Sequence, residues 1–139
     1  MSEPVRGSCL CGGVRFEVIA PFRRANYCHC SRCRKHSGAG ALVQGRVARA
    51  AFRLLSGGEL LRVYRPDDGA AVKAFCSVCG SSLFGAWWPE GDEVSIRLGS
   101  LDDDPGIRPQ YRAFTGSKAA WEELPDDGLE RFEEGHPNP

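Results

Sequence analysis

Cys9-Leu10-Cys11-Gly12-Gly13-Val14-Arg15-Phe16-Glu17-Val18 carries two readings at once. Its first residues place two thiols either side of one leucine and follow them with two glycines. From Val14 the pattern changes: Val14, Phe16 and Val18 alternate with Arg15 and Glu17, the period-two signature of a half-buried strand. The same alternation recurs along the chain. Phe52 and Leu54 precede Ser56-Gly57-Gly58, and Leu61 and Val63 follow it with Arg62 between, which predicts a hairpin across Gly57-Gly58. Val94, Ile96 and Leu98 alternate with Ser95 and Arg97 after the turn Pro89-Glu90-Gly91-Asp92, and a further short strand covers Tyr111 to Phe114. Punctuation by 17 Gly and 9 Pro suits a domain of many short strands.

Helix is scarce in this reading. Ser117 caps one short C-terminal helix running through Leu124, with Glu122 and Glu123 inside it, Trp121 as its buried anchor and Pro125 ending it. There is no repeat or linker, so residues 1–132 are read as one domain and 133–139 as a flexible tail. The expected fold class is mainly β, and a chain of 139 residues can bury roughly two-thirds of its unfolded surface in a single core.

Composition removes several functions. No apolar run approaches the roughly 20 residues of a membrane span, and Met1-Ser2-Glu3-Pro4-Val5-Arg6-Gly7-Ser8 lacks the apolar segment of a signal peptide. A cytoplasmic protein without a membrane partner is expected. Lys and Arg number 18, as do Asp and Glu, and this balance argues against a dedicated nucleic-acid binder. The charges are unevenly spread: Arg23, Arg24, Arg32, Arg34 and Lys35 crowd the first part, and acids collect at Asp102-Asp103-Asp104 and from Glu122 to Glu134. Two readings stay open, solvated faces of opposite sign or a functional basic rim. The sequence assigns no oligomeric state.

Seven cysteines require an account. An odd number cannot all form disulfides, and a cytosolic chain keeps its thiols reduced. They fall into Cys9/Cys11, Cys28/Cys30/Cys33 and Cys76/Cys79, spacings at which thiolates reach one metal ion from a tight turn. Counting favours one division. The two pairs make a closed four-cysteine zinc site, and the trio is left as a separate three-ligand site. If the trio borrowed from either pair, it would strand the donor's neighbour and leave the other pair incomplete. An open fourth position marks a zinc that does chemistry. The alternative is that His29 or His36 closes the trio as a structural site; His29, between two ligands, is expected to point away, and His36 is near enough in sequence to swing in. Arg32, Arg34 and Lys35 would stabilise the thiolates and attract a carboxylate-bearing substrate, or be merely exposed charges.

Three motifs in order carry a resemblance: Gly7-Ser8-Cys9-Leu10-Cys11-Gly12-Gly13-Val14, then Cys28-His29-Cys30-Ser31-Arg32-Cys33-Arg34-Lys35 with Ser37-Gly38-Ala39, then Phe75-Cys76-Ser77-Val78-Cys79-Gly80-Ser81. With Gly57-Gly58 leading to Tyr64, and Trp121, Asp127-Gly128-Leu129 and Phe132 near the end, the chain resembles the glutathione-dependent formaldehyde-activating enzyme family, related to centromere protein V. The resemblance implies a β-tent fold of twisted antiparallel sheets around a structural zinc at Cys9, Cys11, Cys76 and Cys79. It implies a reactive zinc at Cys28, Cys30 and Cys33, which three protein ligands would hold less firmly than four. It also implies a carbon–sulfur lyase activity, condensation of formaldehyde with glutathione to S-(hydroxymethyl)glutathione. One departure is Pro109-Gln110-Tyr111, where family members often carry a histidine after the proline. Tyr64, Tyr111 and His36 are candidates to relay the proton. The competing reading is a non-catalytic, zinc-stabilised binding module or thiol/redox sensor.

Overall fold

The computed structural model describes residues 3–137. Eleven strands, one α-helix and a few 3-10 turns make up these residues, so the protein is mainly β. Strands β1 (Val5–Ser8), β2 (Arg15–Val18) and β5 (Phe52–Ser56) form an antiparallel three-stranded sheet in the order β1-β2-β5. The larger sheet contains β3 (Arg24–Cys28), β4 (Leu42–Ala48), β6 (Leu61–Tyr64), β7 (Lys73–Cys76), β8 (Ser82–Gly85), β9 (Glu93–Arg97), β10 (Tyr111–Ala113) and β11 (Glu130–Arg131). Its order is β11-β10-β3-β4-β9-β8-β7-β6. Pairing is antiparallel except where β10 lies parallel to both β3 and β11.

The core draws on both sheets. Val14, Phe16, Val18 and Phe52 meet Ala74, Leu83, Phe84, Val94 and Ile96, all buried. Four aromatic rings lock the contact: Phe84 stacks on Trp88 at 4.3 Å and meets the edges of Phe16 and Phe52 at 5.1 and 5.2 Å. The alternation expected from Val14 to Val18 is realised, with Phe16 and Val18 fully buried and Arg15 exposed.

Three local expectations are corrected. The Gly57-Gly58 hairpin does not form, because β5 pairs with β2 while β6 pairs with β7 in the other sheet. Gly57 instead lets the chain cross closely over the first knuckle. A Cβ there would lie 2.3 Å from Gly13 O, and its φ of 82° is left-handed. The C-terminal helix is also absent. Only a 3-10 turn at Thr115–Ser117 forms, and Trp121 is 73% exposed rather than an anchor. The backbone there is already paired: the Phe114, Thr115 and Gly116 amides donate to the carbonyls of Glu134, Phe132 and Glu133. An eight-residue helix has too little intrinsic stability to displace those bonds. The one α-helix, α1 (Ser31–Ser37), lies in the trio motif instead. Finally, β9 is buried on both faces, as befits a strand inside the sheet, so Ser95 and Arg97 are as buried as Val94 and Ile96. Positions 138 and 139 of the expected tail lie outside the described residues.

Candidate metal centres

Two turns of similar construction bring the outer pairs together. After β1, the Gly12 amide donates to Cys9 O at 2.9 Å and the Cys9 amide to Val14 O at 3.1 Å. After β7, the Gly80 amide donates to Cys76 O at 2.8 Å and the Cys76 amide to Ser81 O at 3.0 Å. Gly80 takes a φ of 78°, which reverses the chain behind Cys79 at no steric cost. The turns are tied directly, Leu10 N donating to Ser81 Oγ at 2.9 Å. As a result the sulfurs of Cys9, Cys11, Cys76 and Cys79 all lie within 4.8 Å of one another.

This geometry fits zinc. Zn–S bonds of about 2.3 Å in a tetrahedron require sulfurs about 3.8 Å apart. Cys9 Sγ and Cys11 Sγ are separated by 3.5 Å, and Cys11 Sγ and Cys76 Sγ by 3.9 Å, with no disulfide between them. The Val14 amide donates to Cys9 Sγ at 3.2 Å. The Ser81 hydroxyl, helped by the Cys11 and Ser81 amides, holds the Cys79 thiol down to about 5. Donors aimed at sulfur favour thiolate, the form a metal requires.

The trio is built differently. Cys28 ends β3, Cys30 is the N-cap of α1 and Cys33 sits in its first turn. The Cys33 amide donates to Cys30 Sγ at 3.3 Å, so one sulfur both caps the helix and joins the cluster. Gly38, in left-handed conformation, closes α1 after Arg34 and Lys35, cations suited to a helix C-terminus, and His36. The three sulfurs lie within 4.8 Å of one another. The neighbouring Cys28 and Cys33 thiols hold Cys30 well below its usual value against the effect of burial, and crowding by Cys30 and Cys33 pushes Cys28 up.

Neither histidine completes this cluster, which among the described residues consists of cysteines alone. His29 is fully buried on the far side. Arg112 Nη1, which can only donate, lies 3.2 Å from its Nε2, so the proton sits on Nδ1, 3.5 Å from Glu122 Oε1. His36 turns its Nδ1 to Ser82 Oγ at 3.1 Å and its ring toward Phe75.

Beside the trio opens a cavity of about 550 Å³ whose walls include Arg32, Lys35, His36, Tyr64, Asp68 and Lys73. The basic motif is thereby divided. Arg32 and Lys35 face the cavity, Arg32 paired with Asp68, whereas Arg34 turns to Ser117 O at 3.2 Å. Arg23 and Arg24 are absorbed by Glu93, at 3.0 and 2.8 Å. Tyr111 packs on Phe132 and His136, away from the cavity, leaving Tyr64 and His36 as the relay candidates on its wall.

Two residues that the sequence reading passed over complete the surroundings. Lys73 is 7% exposed and its Nζ donates to Cys33 Sγ at 3.2 Å. Arg97 is 5% exposed; burial lowers it to about 10, and the Cys33 and Cys28 sulfurs oppose that fall. Neither is among the ion pairs formed by the described residues. A lysine three positions before Cys76 and an arginine following Val94, Ser95 and Ile96 in one strand were the available signals.

Fold and sites together define a small β protein with a four-cysteine cluster and a three-cysteine cluster, each able to hold a metal ion, and a cavity lined by charged residues that include Lys73, the partner of Cys33. Residues 4–117 match the family described as glutathione-dependent formaldehyde-activating enzyme, and the chain belongs to that family. It is 32% identical over 142 residues to a Halomonas elongata protein provisionally named a glutathione-dependent formaldehyde-activating enzyme, a match covering 96% of this chain and 89% of the relative. The fold is similar to that of a Rhodobacter sphaeroides protein solved by crystallography, with a TM-score of 0.59 and 23% identity, covering 91% of this chain and 98% of the other. Among the described residues no helix is long and apolar enough to cross a membrane.

Proposed function

We propose that the protein is a zinc-dependent enzyme that activates a small thiol, glutathione, for addition to formaldehyde or a related aldehyde. The product is S-(hydroxymethyl)glutathione and the reaction class is carbon–sulfur lyase. The family and the named relative support the general reaction. The observation that carries the finer reading is the placement of two buried cations with no carboxylate partner beside the trio, Lys73 donating to Cys33 Sγ and Arg97 within the electrostatic reach of Cys33 and Cys28. Burying a cation without compensation is expensive, so the site must hold matching negative charge. Three thiolates on one zinc dication leave a single negative charge. A bound substrate thiolate makes it two, equal to the two cations.

Zinc held by Cys28, Cys30 and Cys33 would supply an open position at which a thiol gives up its proton near neutral pH. The surrounding residues do the rest. Lys73 screens the Cys33 sulfur and faces the cavity, so it steadies a second anion arriving there. Lys35 and Arg32 offer positive charge to the carboxylates of a γ-glutamyl peptide. Cys9, Cys11, Cys76 and Cys79 take no part in the chemistry on this reading and hold the knuckles together.

The test is an initial-rate assay of S-(hydroxymethyl)glutathione formation by zinc-loaded protein, with the spontaneous rate subtracted at each glutathione concentration. Wild type is expected to exceed background, and Cys30→Ser to fall to it while remaining folded. A zinc-replete wild type with no rate above background and no glutathione affinity sinks the proposal and leaves a thiol-binding or sensing role.

A further inference from the structure

His36 has a protonation pattern dictated by its neighbours. An arginine guanidinium only donates hydrogen bonds. Arg97 directs Nη1 to Ser95 Oγ at 3.1 Å and Nε to Ser82 Oγ at 3.4 Å. Ser82 Oγ therefore accepts from Arg97, and it lies 3.1 Å from His36 Nδ1. The hydroxyl owns a single proton, and among its described side-chain contacts Nδ1 is the acceptor available to it. Ser82 thus donates to Nδ1, and the proton of the neutral imidazole sits on Nε2. Had Nδ1 carried the proton, the serine would receive two donors and its own hydrogen would find no acceptor among its described side-chain contacts.

The surroundings keep this ring neutral. Burial, then the Arg97 and Lys73 charges, hold His36 below its usual value. Arg32, Lys35, Tyr64, Asp67 and Asp68 also face the cavity, and Asp68 is engaged by Arg32. A neutral imidazole in the cavity wall offers a hydrogen bond but is too weak an acid to surrender its proton.

On the thiol–aldehyde reading above, we propose that His36 Nε2–H is the donor that stabilises the alkoxide formed when the thiolate adds to the aldehyde, with Ser82 and Arg97 as positioning residues. The sulfur lone pair forms the new C–S bond and the carbonyl π pair moves onto oxygen. His36 donates a hydrogen bond to that oxygen and keeps its proton. The alkoxide then takes a proton from water, replacing the one the thiol released, so that thiol plus aldehyde gives the hemithioacetal with nothing left over. Donors fixed before reaction stabilise such oxyanions without reorganisation.

The experiment uses the full chain loaded with zinc and checked for metal content and melting temperature. His36→Ala should lower the catalysed rate by about tenfold or more while glutathione affinity changes less than about twofold. His36→Gln, whose amide keeps a donor, should recover part of that loss. Nitrogen-15 NMR of the imidazole should report the Nε2–H form in wild type and a mixture of tautomers in Ser82→Ala, a change that a merely structural serine would not produce. A wild-type rate in both His36 variants, or an Nδ1–H tautomer in wild type, overturns the assignment. If wild type itself shows no catalysed rate, the thiol–aldehyde reading falls and this one with it. A catalysing wild type beside an unimpaired His36→Ala removes only the histidine.

Discussion

Replacing Cys79 by serine separates the cross-linking role of the four-cysteine cluster from ordinary packing. Cys79 is only half-buried, and exchange of a thiol for a hydroxyl leaves almost no cavity. If this cluster holds zinc as proposed, the loss therefore reports the metal link. That link ties Cys11 to Cys76, 65 positions later. Treated as a covalent cross-link, closure of a loop of this length restricts the unfolded chain by about 4 kcal/mol at 25 °C. Each kcal/mol shifts the melting temperature of a domain this size by about 3–5 °C, so a fall of roughly 10–20 °C is expected. Cys30→Ser supplies the internal control. Its cluster spans only Cys28 to Cys33, so it closes no long loop, and serine still serves as a helix N-cap. That variant should lose about 1 kcal/mol or less. Both proteins are followed by thermal denaturation alongside zinc content measured by mass spectrometry. The reasoning fails if Cys79→Ser keeps wild-type stability and full zinc content, or if Cys30→Ser is as destabilised as Cys79→Ser.

Two further outcomes follow from the charges. Lys73→Met removes the cation at Cys33 Sγ, and should weaken glutathione binding roughly tenfold, about 1.4 kcal/mol, by titration calorimetry; unchanged affinity would remove the charge-balance argument. Glu93 tests acid stability: burial alone would raise its pKa, but Arg23 and Arg24, aided by Arg46, outweigh it and hold the carboxyl below its ordinary 4.5. A depressed folded-state value means that its stabilisation is complete above pH 4.5 and disappears as pH falls through the folded value. Glu93→Gln should thus be about 1–2 kcal/mol less stable than wild type at pH 7 by urea unfolding, with the gap closing toward pH 3. A gap of constant size across that range would contradict this.

The cysteine grouping was legible in the sequence because ligands of one knuckle are chain neighbours. Cys9 and Cys11, or Cys76 and Cys79, need only a local turn to face the same ion, and arithmetic on seven thiols does the remainder. Strand character was equally legible where one face is buried and the other wet, as from Val14 to Val18. Other features depended on contacts between positions far apart. Phe52 and Leu61 looked like partners across a turn, yet their strands joined different sheets, since Gly57 bridges a close approach to Gly13 that no local pattern encodes. Arg97 resembled a solvent-facing residue of an alternating strand, because alternation cannot reveal that the second face is covered as well. Lys73 reaches a sulfur 40 positions away, and Ser82 reaches a histidine 46 positions away. Composition and local pattern thus determined which residues can bind metal. Only the packing of β7, β8 and β9 against the trio decided which cations, hydroxyl and imidazole face it, since side-chain electrostatics act through space over a few ångströms and take no account of sequence separation.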